Sequence, residues 1–365
     1  MRRIVLASLL ALASIRCASD RALDVDQTPK SRYTGDVGAT PVGVIPEATL
    51  RDTARNRDML MSIDYPIEAG LHPLIIFSHA IGASHRDYIP LTSFWASQGY
   101  VVIKPSHVDA GRVSGSRTAQ SVMESQTAND WRERVRDITF VIDSLDQLER
   151  DYPELQGKID RAHIGVGGHG YGAFTAMLAG GGRTFPGATT YADPRIQAVV
   201  LMSPAGPGPS RGLSNESFAQ LNKPTLFMVA EDEPGANETE NADWRRQAFA
   251  LAPAGDKWLV TLQGVGQGAF TGRIDAAMPS IQRSPVVPSG TDPSNGPVIN
   301  PTPTNTREEP RRPRESVQGM RQRGTAATVK ALSLAFWDTY LRANAEGRTA
   351  LEGAGSRGGV VVEKK

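Results

Sequence analysis

The stretch Ala162-His163-Ile164-Gly165-Val166-Gly167-Gly168-His169-Gly170-Tyr171-Gly172 decides the fold. Ile164 to Gly167 reads as a strand, Ala173 to Ala179 begins a helix, and glycines crowd the turn between them. Gly168-His169-Gly170-Tyr171-Gly172 has the G-x-S-x-G spacing of a nucleophile elbow, the sharp strand-to-helix turn that presents a hydroxyl at the top of a sheet. Gly170 stands where that hydroxyl belongs, so the turn is legible and its chemistry is missing. A dinucleotide-binding turn is a weaker reading, because the run sits mid-chain and does not open a βαβ unit.

Outward from the turn, short apolar runs alternate with helical patterns. Pro73 to Ser78 is continuously apolar up to its last residue, as expected of a central strand covered on both faces. Met59 to Tyr65 alternates and is expected to be the first strand. Tyr100 to Ile103, Ala198 to Met202, Thr225 to Val229 and Trp258 to Leu262 follow, the last closing the sheet. A helix is expected over Ile89 to Ser97. A long one is expected from about Asp130 to Tyr152, with Ile138, Val141, Ile142, Leu145 and Leu148 at spacings of three and four. Val329, Leu332, Phe336, Tyr340 and Leu341 mark a closing helix. This order argues for an α/β fold, a mostly parallel central sheet with helices on both faces.

The two ends and one internal segment break the pattern. Arg2 and Arg3 precede an apolar run from Ile4 to Ala13, too short to span a bilayer, so 1–18 reads as a signal peptide and the chain as secreted or periplasmic. Cys17, the single cysteine, could instead anchor a lipoprotein, and a membrane partner follows only in that case; Arg16 before it is unlike the small residue such sites prefer. Residues 19–45 read as an irregular lead-in, 46–278 as the domain, 279–318 as a Pro-rich disordered insertion, 319–344 as the closing helix of the same domain, and 345–365 as a flexible tail. A hydrophobic fraction of 39% with 22% charged residues is that of a globular protein, and a net charge of +1 gives no reason to expect a nucleic-acid partner.

Several stretches taken together resemble the α/β-hydrolases, within the group that holds dienelactone-hydrolase-like proteins and platelet-activating-factor acetylhydrolases. Phe77-Ser78-His79-Ala80-Ile81-Gly82 resembles the F-S-H-G-x-G loop after the third strand, with Ala80 in place of its first glycine. Trp95-Ala96-Ser97-Gln98-Gly99-Tyr100-Val101-Val102 resembles W-A-S-x-G-Y-V-V, and Trp131, Arg134 and Asp137 fit W-x-x-R-x-x-D. Ala335-Phe336-Trp337-Asp338 matches as well. The likeness covers about Met59 to Gly272 and the last helix.

The resemblance implies an α/β-hydrolase fold and serine ester hydrolysis, in which serine attacks, histidine moves the proton and an acid orients the histidine. Carried over position by position, the nucleophile is Gly170 and the acid is Asp232, beside Glu231 at the end of the Thr225 strand. The histidine falls on Gln267, in Gly264-Val265-Gly266-Gln267. The oxyanion donors are the backbone N–H groups of Ile81 and Tyr171.

The six histidines are His72, His79, His85, His107, His163 and His169. In this fold the histidine of the triad follows the elbow, and none of the six does. The expectation is therefore a binding or otherwise non-hydrolytic homologue that takes a small ester-like or apolar ligand and needs no cofactor. The alternative is an ester hydrolase using non-standard groups, with a metal at His79, His107 and His169, all of which follow strand ends. Ser78, Ser84 and Ser203 also lie near strand ends, and the sequence reveals no base for any of them.

Overall fold

The apolar run at Pro73 lies in the middle of a twisted sheet. The structure, a computed structural model, describes residues 31–111, 130–185, 190–208, 212–233, 240–271, 317–356 and 358–365. The expected signal peptide at 1–18, Cys17 and the Pro-rich segment 279–313 lie outside these residues. The strands are β1 (Val42–Asp52), β2 (Arg57–Pro66), β3 (His72–Ser78), β4 (Val101–Pro105), β5 (Ile159–His169), β6 (Ile196–Met202), β7 (Thr225–Ala230), β8 (Lys257–Leu262) and β9 (Val360–Lys364). The helices are α1 (Ile89–Ser97), α2 (Asp130–Asp143), α3 (Leu145–Asp151), α4 (Tyr171–Gly180), α5 (Ala242–Leu251), α6 (Val317–Leu341) and α7 (Ala345–Glu352).

Sheet order is β1-β2-β4-β3-β5-β6-β7-β8-β9. Strands β4, β3, β5, β6, β7 and β8 are parallel, β2 pairs antiparallel with both β4 and β1 at one edge, and β9 pairs antiparallel with β8 at the other. Alternation along each strand feeds two cores. Leu74 and Ile76 of β3 pack with side chains of α2 to α5. Ile75 and Phe77 pack on the opposite face with α1, α6 and α7. The α/β class with helices on both faces is thus as expected, and Arg32–Lys365 form one compact unit.

The site is positioned by a change of direction in the winding. After β3 the chain crosses to α1 on one face, and after β5 it crosses to α4 on the other. β3 and β5 are neighbours, with Ser78 opposite Gly168. Connections leaving two adjacent parallel strands on opposite faces open a crevice at their carboxyl ends.

Four expectations need correction. Val42–Asp52, assigned in part to the lead-in, is β1. A register shift between Ile45 and Ala48, at Pro46 and Glu47, hides its alternation. The lead-in is also tied to the fold, because buried Tyr33 donates its hydroxyl to Asp338 Oδ2 (3.0 Å). The long helix is two helices: Ser144 leaves helical geometry at φ −100° and ψ 9°, yet the expected apolar stripe stays buried on both sides of the break. The tail is not free, since α7 and β9 lie within it, and β9 pairs with β8, which is therefore not the last strand. Gly165, Gly167 and Gly170 have G-x-G-x-x-G spacing, but the first two lie inside β5 against Trp337, so they form no phosphate loop.

Candidate functional site

β5 ends at His169 and α4 begins at Tyr171, with Gly170 alone between them. Gly170 has φ 55° and ψ −112°, a conformation that an L side chain resists and glycine accepts. Its N–H donates to Met202 O (2.9 Å), and its carbonyl accepts from Phe174 N–H (3.1 Å). The flanking glycines are fixed by contact. A Cβ on Gly172 would lie 2.0 Å from Ser78 O, and one on Gly168 would lie 2.2 Å from Gly172 O. The turn therefore has the tight geometry of an elbow, with a hydrogen atom where a side chain would project.

Next to it runs the loop after β3. Ala80 N–H donates to Tyr88 Oη (3.3 Å) and Gly82 N–H to Asp109 Oδ2 (3.0 Å). His79 O accepts from Arg134 Nη1 (2.9 Å). Neither Ile81 N–H nor Tyr171 N–H has a hydrogen-bond acceptor among the described residues. These two expected oxyanion donors sit on adjacent segments, as the Gly172–Ser78 contact requires.

Beneath the elbow lies a buried polar lattice. Ser78 Oγ is 2.8 Å from His107 Nε2, and His107 Nδ1 is 2.9 Å from Asp137 Oδ2. Asp137 also takes Arg55 (2.6 Å) and Arg57 (3.2 Å). His107 N–H donates to His79 Nε2 (3.1 Å). That places the His79 proton on Nδ1, 2.7 Å from Ala80 O. Burial, reinforced by the Arg134 charge, holds the pKa of both rings well below the usual imidazole range, so both are neutral. Asp109 pairs with Arg134 through two bonds of 2.8 and 3.1 Å. Burial opposes its ionisation, but the guanidinium wins and holds the carboxyl below its usual range.

The lattice supplies what the sequence did not reveal, a hydrogen-bonded base for Ser78. It is a Ser-His-Asp chain in bonding order. Strand alternation puts Ser78 on the α2–α4 face, where Arg134 Nη1 (3.5 Å) crowds its Oγ, and all three side chains are buried.

The acid corner also differs from expectation. Asp232, the expected acid, is exposed, and its N–H donates to Val265 O (3.0 Å). Glu231 is exposed too. Glu233, the next residue, is buried: it accepts Ser203 Oγ at 2.6 Å and lies 3.2 Å from Arg245 Nη2. β7 ends at Ala230, and the turn after it carries the third acid inward and the first two outward. Burial pushes the Glu233 carboxyl up, while Arg245 and Ser203 pull it down. Ser203 itself has φ 52°, the strained sign for a residue with a Cβ. The Asp232–Val265 bond stitches the end of β7 to the turn that leads into Gln267.

The three histidines do not form a metal site. His79 and His107 have their ring nitrogens committed as above. His169 points away from both: its Nδ1 meets Tyr88 Oη (2.8 Å) and its ring lies 5.6 Å from that of Phe270. Its Nε2 has no hydrogen-bond partner among the described residues. Burial, with Arg245 nearby, lowers its pKa to about 3. Among the described residues no group of three or more His, Cys, Asp or Glu could hold a metal ion.

Some of what was missed had a signal. Arg134 and Asp137 stand three apart on one helix and so project to the same side, which pointed to a shared partner under the strand ends. Choosing Glu233 over Asp232 had none, because burial within a turn has no periodicity.

A family model described as the alpha/beta hydrolase family matches residues 75–354. Platelet-activating factor acetylhydrolase of Cavia porcellus is 23% identical over an alignment of 209 residues that covers 49% of this chain and 44% of that protein. The chain thus spans less than half the length of that relative.

Proposed function

Because the chain belongs to the alpha/beta hydrolase family, we propose that it is a member of carboxylic-ester-hydrolase ancestry that binds a small ester-like or carboxylate ligand without hydrolysing it. The observation that carries this reading is Gly170, at the point of the elbow with no atom able to attack a carbonyl carbon. The absence of any histidine after His169 supports it independently. Losing the nucleophile or the base alone removes most triad-dependent rate, on the order of 10⁶-fold in subtilisin. The two backbone donors remain, and they suit a carbonyl or carboxylate oxygen. The acetylhydrolase relative points to a short acyl group as the ligand's polar end. The same reading takes 1–18 as a signal peptide and the protein as acting outside the cytoplasm.

The retained acid has an explanation in these terms. A buried carboxylate deprived of its histidine needs another partner. Arg245 and Ser203 take that place beside Glu233. Glu233 thereby has a counter-charge and one hydrogen bond without any role in proton transfer, although its Oε1 lacks a hydrogen-bond partner among the described residues.

A second reading, an ester hydrolase working through non-standard groups, is favoured by one observation, the Ser78–His107–Asp137 chain. The crowding of Ser78 Oγ beneath the elbow argues against it, because an ester carbonyl has no room to approach. Turnover of 4-nitrophenyl butyrate by the pure protein separates the two. The binding reading expects a rate equal to buffer. A rate well above buffer that Ser78→Ala abolishes would establish the second reading instead.

A further inference from the structure

One buried side chain holds the residues on either side of Ile81 and lies against the ring of Tyr171; Ile81 and Tyr171 carry the free donors. The Arg134 guanidinium donates to His79 O (2.9 Å) and Ala80 O (3.4 Å), immediately before Ile81. It grips Asp109, whose Oδ2 accepts Gly82 N–H immediately after Ile81. The same guanidinium lies over the Tyr171 ring, 4.6 Å from its centroid. Ile81 is thus pinned from both sides, and Tyr171 is held against the same group. Stability is a poor explanation for this arrangement. A buried ion pair is often no more stable than apolar residues of the same volume, because desolvating two charges offsets their attraction. What a planar fork does supply is fixed direction, which a lysine ammonium does not.

We propose that Arg134 is the positioning residue of the ligand site, setting the Ile81 N–H so that it joins the Tyr171 N–H in holding one oxygen of a short-chain carboxylate. This rests on the binding reading above. It adds the ligand class, a carboxylic acid of few carbons, and the residue that sets the geometry. Arg134 acts only through the backbone it holds, since its own nitrogens face protein acceptors and Asp109.

The test is a titration of the full chain with sodium butyrate, following the amides of protein labelled with ¹⁵N-isoleucine and ¹⁵N-tyrosine. In the wild type, the Ile81 and Tyr171 resonances are expected to shift together with one dissociation constant. In Arg134→Lys, the Ile81 shift is expected to vanish while that of Tyr171 persists with affinity about tenfold weaker or worse, the effect of one hydrogen bond to a charged group. A merely structural arginine would not separate the two amides. If Arg134→Lys shifts both amides with wild-type affinity, the positioning role is overturned and binding still stands. If neither amide shifts in the wild type, the binding reading fails and this proposal with it. Should Arg134→Lys not fold, Asp109→Asn is read in the same way, because it weakens the grip while keeping the shape of the acceptor.

Discussion

Removing the His169 imidazole should flatten the pH dependence of stability by a calculable amount. His169 is buried against Tyr88 and Phe270 with the Arg245 charge nearby, and its pKa falls from 6.5 to about 3. The fold therefore requires the neutral ring, while the unfolded chain takes up a proton near 6.5. The stability tied to neutrality is fully present above the unfolded pKa. It is lost as pH falls from there toward the folded value of about 3. At pH 5 the unfolded state has gained about 1.5 units of protonation free energy that the folded state has not, or about 2 kcal/mol. His169→Gln removes the titration and forfeits the Tyr88 contact, about 1 kcal/mol at any pH. Urea unfolding of both proteins at pH 7.5 and pH 5.0 reads the difference. Both lose stability on acidification, because His79 and His107 are buried neutral in each, but the wild type should lose about 2 kcal/mol more. Equal losses would refute the assignment of His169 as a buried neutral ring.

The elbow and the acid corner give two further expectations. Gly170→Ala puts a Cβ on a backbone at φ 55°, a strain of about 1–3 kcal/mol against an unfolded-state gain of about 0.4–1 kcal/mol; urea denaturation should show a net loss, and a gain would mean the turn is relaxed. Glu233→Ala strips Arg245 and Ser203 of a buried partner and should cost about 3–5 kcal/mol, whereas Asp232→Ala, at an exposed site, should stay within about 0.5 kcal/mol; the reverse ranking in thermal unfolding would restore Asp232 as the inward acid.

Much of this molecule was legible because its signals are local and periodic. The apolar run at Pro73, the stripe of Ile138 to Leu148 and the glycines around Gly170 each report burial or backbone shape directly. β1 was obscured because Pro46 and Glu47 interrupt its alternation. β9 was missed because an edge strand of five residues with two charges resembles a tail until β8 is there to pair with it. At the site, the tight turn at Gly170 followed from the spacing of its glycines. Glu233 did not, since three consecutive acids differ only in where the turn sends them. The Ser78–His107–Asp137 chain joins three segments far apart in sequence, and only the packed sheet brings each side chain within 3 Å of the next.

The most direct test of the vacated elbow is labelling with a fluorophosphonate, read by intact mass and peptide mapping, in the wild type and in Gly170→Ser/Gln267→His. With the turn, the donors and Glu233 in place, the double variant should carry the adduct at position 170. The wild type should remain unmodified. An adduct on the wild type at Ser78, Ser203 or another serine of the crevice would contradict the claim that this site holds no working nucleophile.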